Sequence, residues 1–246
     1  MAGCLGGESS DLDGWPYDRP EDEEEEEEQQ DEEQENCDPP DPPPCPAGHM
    51  RIDGELVDLA SRMNAVLPIV GATVTHRGSA LATTSSNDGR FSLCTPIANN
   101  HVFDVDAPGA LLDAIVANSN GLDQIEMRMM TAAAANTLYA AHGMQFDPAR
   151  AHVLVATFGM GGDIELENAA HGTALATPEL PQPGPLVWTP GTQGRYVLFP
   201  NVAITGASAT VHHRGLLDLT ETTPLEPGVL TIVVIGSYFC FVAPCV

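Results

Sequence analysis

The histidines are the residues of this chain best suited to chemistry, because imidazole is the commonest metal ligand and acid–base group in proteins. There are eight, at positions 49, 76, 101, 142, 152, 171, 212 and 213. None belongs to a His-Glu-x-x-His, His-x-His or Cys-x-x-Cys pattern, the spacings that present ligands together. His212 and His213 are neighbours on a predicted strand, where successive side chains point to opposite faces. The sequence therefore predicts no metal site and no cofactor.

Nucleophile and phosphate motifs do not occur in the sequence either. A serine nucleophile elbow has the form Gly-x-Ser-x-Gly, and the nearest run, residues 204–209, departs from it. The glycine-rich run 159–162 looks like a phosphate cradle, but no helix that begins with Lys, Ser or Thr is predicted after it. We interpret that run as a tight hairpin turn. The chain is expected to carry no catalytic residues and not to be an enzyme.

Trp188 is the one attractive candidate for contact with a ligand. It lies between Pro185 and Pro190, in a proline-framed loop that can present an indole for stacking on a sugar ring or a partner protein. The alternative is that the indole covers one end of a β-sandwich. We predict Trp188 as a ligand-binding residue, with that alternative open.

Six cysteines are few for a disulfide scaffold but many for idle thiols. Cys37 and Cys45 flank a proline-rich stretch, and Cys240 and Cys245 bracket a short turn, so two local disulfides are expected. Cys94 would then remain free and buried in a strand, and a disulfide between Cys94 and Cys240 stays open as an alternative. Disulfides of either kind would place the chain in an oxidising compartment.

The first residues resemble the end of a bacterial lipoprotein signal, in which small residues precede an acylated cysteine and a Gly/Ser-rich tether follows. Cys4 has that position in the run MAGCLGG. The charged and apolar regions of such a signal do not precede Cys4, so either translation starts further upstream or the resemblance is accidental. We predict that Cys4 is lipidated, that this anchor makes the only membrane contact, and that the protein is exported to the bacterial cell envelope or the extracellular space. An ordinary terminus with an unmodified cysteine is the alternative.

Acidic residues are concentrated near the N-terminus, where 18 of the 35 lie between Glu8 and Asp41 and a proline-rich run overlaps their end. Charge repulsion, the scarcity of apolar side chains and the prolines predict a disordered, extended spacer. A calcium site is disfavoured, because it needs acids arranged around a tight glycine turn. The nine basic residues form no stripe, so we expect no binding to nucleic acid. No run approaches the roughly 20 apolar residues of a membrane-spanning helix.

Strand patterns begin after Arg51. Alternating apolar and polar residues, separated by turn signals, predict strands at 70–76, 91–94, 101–106, 151–158, 163–167, 194–199, 207–212, 229–235 and 237–242. Between Leu122 and Gly143 the apolar residues recur at intervals of three and four, which predicts one helix. Asp123 is expected to cap the start of this helix and Gly143 to follow its end.

The two β regions follow a shared plan. In the first, the run 71–74 (GATV) precedes 88–93 (DGRFSL); in the second, the run 162–166 (GDIEL) precedes 193–198 (QGRYVL). We interpret these regions as two diverged copies of one module.

A strand that enters Gly-Ala-x-Val, followed by an Asp-Gly-Arg-Phe turn, resembles the carboxypeptidase regulatory-like domain. The resemblance covers residues 51–107 well and 151–211 more loosely. It implies a transthyretin-like, seven-stranded β-sandwich found in secreted and surface proteins. The roles that it implies are folding, adhesion or carbohydrate contact, and it transfers no catalytic residues.

We therefore predict a mainly β chain with four parts. Residues 1–50 form a disordered, acidic, Pro-rich tether, and 51–112 form a first β-sandwich module. Residues 113–150 form a helix-containing linker, and 151–246 form a second sandwich, transthyretin-like or immunoglobulin-like. The predicted function is that of a non-enzymatic exported surface protein that binds, adheres or scaffolds, with a cell-surface glycan or protein as its partner.

Two other functions are kept as alternatives. One is a small metal-dependent enzyme on a transthyretin-like scaffold, because intradiol dioxygenases use that scaffold with two tyrosines and two histidines on ferric iron. Tyr196 with His212 or His213 is the one conceivable remnant of such a ligand set. The other alternative is a purely structural spacer.

Overall fold

The computed structural model describes residues 44–59, 67–98, 100–111, 113–118, 124–157, 161–180, 185–215 and 218–235. These residues form 15 strands and one α-helix. In chain order they are β1 (His49–Asp58), β2 (Thr73–His76), β3 (Ala82–Thr84), β4 (Arg90–Pro96), β5 (Asn100–Asp106), β6 (Asp113–Asn118), β7 (Gln124–Met129), α1 (Ala132–Ala141), β8 (Ala151–Ala156), β9 (Asp163–Glu167), β10 (Leu175–Ala176), β11 (Thr189–Pro190), β12 (Tyr196–Val202), β13 (Ser208–Arg214), β14 (Leu219–Pro224) and β15 (Leu230–Val234).

The strands form one nine-stranded sheet and two three-stranded sheets. The large sheet has the order β11-β10-β12-β8-β15-β6-β5-β2-β3, and the small sheets have the orders β4-β1-β7 and β14-β13-β9. The large sheet is antiparallel except at its centre, where β15 lies parallel to both β6 and β8. The last described strand of the chain therefore fills the middle of the sheet.

Two hydrophobic cores lie on opposite faces of the nine-stranded sheet, and strand β8 contributes to both. Leu154 and Ala156 point into a first core, which the sheet β4-β1-β7 and helix α1 cover. Val153 and Val155 point into a second core, which the sheet β14-β13-β9 covers. All six residues of β8 are buried for this reason. The predicted fold class, mainly β with sandwich packing, is confirmed.

The boundaries predicted at residues 112 and 150 do not separate two modules. The nine-stranded sheet takes β2, β3 and β5 from the first predicted module, β6 from the predicted linker, and the remaining strands from the second module. The described residues, from 44 to 235, accordingly belong to one compact unit. The two sandwich cores share one sheet because β15 pairs with both β6 and β8 and so joins the strands of the two halves. Both pairings are parallel, and parallel strands are not connected by a tight turn that the sequence would reveal. The predicted tether lies outside the described residues up to residue 43, and β1 begins at His49.

The predicted helix starts too early. Residues 124–129 form β7, which pairs parallel with β1, and Met127 and Met129 point into the first core with the period of two that a strand requires. The N-cap of α1 is Thr131, whose side-chain oxygen accepts a hydrogen bond from the Ala134 N–H, so the cap predicted at Asp123 is wrong. Gly143 follows the helix with a φ of +71°, as expected. No helix of the described residues has the length and apolarity that a membrane span needs.

The proposed internal repeat does not hold in three dimensions. In the first copy the leading strand, β2, belongs to the nine-stranded sheet, and the strand after the turn, β4, belongs to a small sheet. In the second copy the assignment is reversed, because β9 lies in a small sheet and β12 lies in the large one. The two motifs therefore share turn chemistry and not a position in the fold.

Candidate functional site

Of the four cysteines in the two predicted disulfides, the structure describes only Cys45. The Sγ atoms of Cys45 and Cys94 form a disulfide, with a Cα–Cα distance of 5.6 Å. Because Cys45 has only one sulfur, its predicted bond to Cys37 is wrong, and so are a free Cys94 and a bond from Cys94 to Cys240. The remaining cysteines, Cys4, Cys37, Cys240 and Cys245, lie outside the described residues.

The sheet register explains the Cys45–Cys94 pairing. Strand β4 alternates between buried and more exposed residues, and Cys94 belongs to the more exposed set that points away from the first core. β4 pairs antiparallel with β1, and His49 lies opposite Pro96 at the start of β1. Just before β1, Gly48 adopts a φ of +80° and the His49 N–H donates to the Pro46 carbonyl. This turn brings Cys45 back beside Cys94.

Trp188 is half-buried and packs against the first core together with Leu186. Val187, between them, is 57% exposed. Packing on the core accounts for the position of the indole without a ligand. Its role in binding stays a prediction.

The residues of the conceivable iron site do not converge. Tyr196 belongs to the first core, where its hydroxyl accepts a hydrogen bond from Nε of Arg128 at 2.9 Å. His213 lies on the same buried face of β13 as Ala209 and Val211 of the second core, and its Nε2 lies 2.8 Å from the Gly161 carbonyl oxygen. His212 faces Glu167, with Nε2 and Oε2 2.9 Å apart. Among the described residues, no group of three or more His, Cys, Asp or Glu side chains is arranged to hold a metal ion.

Two other histidines form a pair at the edge of the first core. Nδ1 of His101 lies 3.3 Å from Nε2 of His76, and Nδ1 of His76 lies 3.2 Å from the Ser79 hydroxyl. Burial lowers the pKa of both rings. Because the Ser79 hydroxyl donates to the His76 carbonyl at 3.0 Å, its proton is used within the turn, and the geometry does not make Ser79 a nucleophile.

A network of buried polar groups lies between helix α1 and strand β8 of the large sheet. The Tyr139 hydroxyl, from α1, lies 2.8 Å from Nδ1 of His152, on β8, and both residues are fully buried. The ring of Phe146 stacks on His152 with a centroid distance of 4.7 Å and an interplanar angle of 13°. The backbone N–H of Asn201 donates to the same Nδ1 at 3.3 Å.

A bulge in β12 places Asn201 over this pair. The register between β12 and β8 shifts between Phe199 and Val202, and Asn201 has a φ of +52°. Bulges redirect the residues that they contain, and a left-handed asparagine is uncommon outside turns. The extra residue turns the Asn201 N–H away from the ladder and toward the His152 ring.

The Asn201 side chain fastens the segment that follows α1. Its Oδ1 accepts a hydrogen bond from the Asp147 N–H at 3.0 Å, and its Nδ2 donates to the Gln145 carbonyl at 2.7 Å. We name these two hydrogen bonds the Asn201 bracket. Asp147 also accepts a hydrogen bond from the Ala149 N–H at 2.9 Å, which shapes the turn into β8.

A shallow surface depression of about 570 Å³ lies over the bracket. Its lining combines apolar side chains with amide and carboxylate groups, from Met144, Gln145, Phe146, Asp147, Pro148, Gly172 and Asn201. Tyr139 and His152 lie beneath this lining and do not belong to it.

The titration of the buried pair argues against proton transfer to a ligand in the depression. Burial raises the pKa of Tyr139 above its ordinary value, so its phenol is neutral at pH 7. Burial also lowers the pKa of His152 to about 4, against smaller opposing effects of the Asp147 backbone and carboxylate. Because the Asn201 N–H can only donate, Nδ1 of His152 is the unprotonated nitrogen. The neutral phenol of Tyr139 and the neutral imidazole of His152 both lie beneath the lining of the depression, so their role is structural and they do not contact a ligand there.

Sequence reasoning missed this site, although one signal was present. Pro200 directly follows the strand predicted at 194–199 and lies inside β12 in the structure, where a proline marks an edge or a bulge, and Asn201 follows it. The partners of Asn201 lie 54 and 56 residues earlier in the chain, so no local spacing connects them.

Replacing Asn201 with Ala is expected to lower the free energy of unfolding by about 2 to 3 kcal/mol, because alanine at positive φ is strained and two hydrogen bonds to backbone are lost. Asn168→Ala is the matched control, since Asn168 also has a positive φ of 64° but is exposed. It should cost only about 1 kcal/mol. Equal losses in urea unfolding of the two variants would show that the bracket contributes no stability.

No family model matches the chain, and no curated protein matches it. The resemblance to the carboxypeptidase regulatory-like domain therefore stays a prediction.

Proposed function

We propose that this chain is an exported, non-enzymatic surface protein whose β-sandwich body binds or scaffolds a cell-surface glycan or protein. The observation that carries the proposal is the Cys45–Cys94 disulfide. Disulfides persist in secreted, periplasmic and surface proteins and are rare in a reducing cytosol. The acidic, proline-rich spacer is proposed to hold this body away from a lipid anchor on Cys4. Nucleic acid is not proposed as a partner.

The position of the disulfide supports a tethered arrangement. Cys45 directly follows the proline-rich run that ends at Pro44, and its bond to Cys94 fastens the first described residues of the body to the middle of β4. A pull transmitted along the spacer would reach this covalent bond before it reached the hydrogen bonds of β1. A cross-link at the point of attachment suits a body that is held by its N-terminal end.

The depression over the Asn201 bracket supports a binding role. Glycan and peptide contacts commonly combine an apolar surface with amide and carboxylate groups, and the lining has both kinds. Gln145 is exposed and its backbone carbonyl accepts the hydrogen bond from Asn201, so its side-chain amide is suited to contact a ligand. Trp188 is proposed as a second contact residue. The resemblance to accessory sandwich domains supports the same class of function.

Export and anchoring are tested by expressing the gene with its native upstream sequence and fractionating the cells after thiols have been blocked. We expect a peptide that contains the intact Cys45–Cys94 bond and incorporation of an alkyne fatty acid that Cys4→Ser abolishes. A protein found in the cytosol with both thiols free would contradict export. Incorporation that is unchanged in Cys4→Ser would contradict the anchor.

Binding is tested by screening purified protein on an array of cell-surface glycans and on isolated envelope proteins. Gln145→Ala should weaken a contact at the depression and Trp188→Ala a contact at the loop, whereas Gln193→Ala, another exposed glutamine, should leave both unchanged. A chain that binds neither class of partner would favour the purely structural spacer. Stoichiometric iron or zinc in the purified protein would favour the metal-dependent enzyme.

A further inference from the structure

The bracket and the buried pair are linked through a single nitrogen atom. Nδ1 of His152 accepts hydrogen bonds from the Tyr139 hydroxyl at 2.8 Å and from the Asn201 N–H at 3.3 Å. Asn201 in turn holds the backbone of Gln145 and Asp147 through its side chain. The state of one imidazole nitrogen therefore affects the attachment of the segment between α1 and β8.

The two donors respond differently to a proton on that nitrogen. A tyrosine hydroxyl can rotate and accept a hydrogen bond from Nδ1–H, because a hydroxyl both donates and accepts. A backbone N–H only donates, so Asn201 cannot face a protonated Nδ1. The conflict falls on a residue with a φ of +52°, in a bulge that lies outside the register of β12 with β8.

We propose that the Asn201 bracket is an acid-opened latch: a proton on Nδ1 of His152 expels the Asn201 N–H and releases residues 144–148 from the sheet. This device would change the floor and wall of the depression, since five of its seven lining residues belong to the released segment. It goes beyond the proposed function and does not depend on any ligand.

The charged and titratable groups around His152 set the direction of the pH response. Tyr139 faces it from α1, and Asp147 faces it from the connecting segment, where Arg150 lies 3.6 Å from the Asp147 carboxylate. From β15 the residue opposite in register is Leu230, which does not titrate, and β12 contributes the Asn201 amide. Asp147 favours the protonated ring, and burial opposes it more strongly.

The sign of the response follows from proton uptake. The pKa of His152 is about 4 in the closed state and close to the ordinary 6.5 once the ring is exposed to water. The open state binds more protons between these two values, so opening is favoured as the pH falls from about 6.5 to about 4. The equilibrium constant for opening should rise about tenfold for each pH unit in this window and level off below it.

Amide hydrogen exchange of the full chain, measured between pH 7.5 and 3.5 and corrected for intrinsic rates, tests the latch. The Asp147 and Asn201 amides should lose protection about tenfold per pH unit below pH 6.5, while the Val211 amide, in the second core, keeps its protection. Loss of protection at all three amides together would mean global unfolding and would overturn the latch. Constant protection at Asp147 and Asn201 would also overturn it.

Two variants identify the responsible group. His152→Asn keeps an acceptor near the position of Nδ1 and cannot be protonated, so its Asp147 amide should stay protected at pH 4, whereas His49→Asn should behave like the parent protein. Asn201→Gly keeps the N–H and tolerates positive φ but removes the bracket. Its Asp147 amide should exchange rapidly at every pH. An acid response that persists in His152→Asn, or that is unchanged in Asn201→Gly, would contradict the proposal.

Discussion

Replacing Cys45 and Cys94 together with serine is expected to lower the free energy of unfolding by about 4 kcal/mol. The bond closes a loop with a sequence separation of 49 residues, and the entropy that such a cross-link removes from the unfolded chain is of this order. For a domain of this size the loss corresponds to roughly 10 °C in Tm. Urea unfolding at equilibrium and thermal unfolding by circular dichroism measure the two quantities.

Reduction supplies the control for this prediction. Dithiothreitol should destabilise the parent protein by a similar amount and leave the doubly substituted protein unchanged. The double variant is the clean comparison, because either single variant leaves a free thiol that can pair with another cysteine. If the double variant unfolded at the same urea concentration as the parent, the Cys45–Cys94 bond would contribute nothing to stability.

Replacing Gly194 with Ala is expected to cost at least about 3 kcal/mol. Gly194 is buried two residues before β12 begins, and a Cβ there would overlap the carbonyl oxygen of Thr177. Thr177 cannot move aside easily, because its N–H donates to the Tyr196 carbonyl at 3.0 Å and its hydroxyl accepts from the Tyr196 N–H at 3.1 Å. An extra methyl group against fixed backbone forces the strands apart, and overpacking of this kind is destabilising.

Gly191→Ala is the matched control for this substitution. A Cβ at Gly191 would meet only the Cβ of Ala176, at 3.9 Å, which is an ordinary van der Waals contact. Its unfolding free energy should stay within about 1 kcal/mol of the parent value. Equal urea midpoints for Gly191→Ala and Gly194→Ala would show that the close approach of Thr177 does not limit the residue at position 194.

Local patterns correctly predicted eight of the 15 described strands, and the strand predicted at 237–242 lies outside the described residues. The run 163–167 alternates Ile164 and Leu166 with acids, and it forms β9 at those positions. The run AHVLVA has apolar residues on both faces and forms β8, which is covered on both sides. These predictions succeeded because the period of side-chain burial and the turn signals between strands are written in adjacent residues.

The helix prediction failed where a local pattern was ambiguous. Met127 and Met130 are three residues apart, which favours a helix, but Met127 and Met129 are two apart, which suits a strand. Pairing of β7 with β1, more than 60 residues earlier, decided between them. A short apolar run does not reveal such a partner.

The sequence by itself determined the mainly β character of the body and the acidic composition that precedes it, because both follow from residue types and near neighbours. Only the tertiary structure decided that β15 joins the two halves in one sheet, that Cys45 meets Cys94, and that Asn201 reaches His152. Each of these contacts joins residues about 50 or more positions apart. Their pairing depends on strand order and register, which are set by the packing of the whole chain and not by any local spacing.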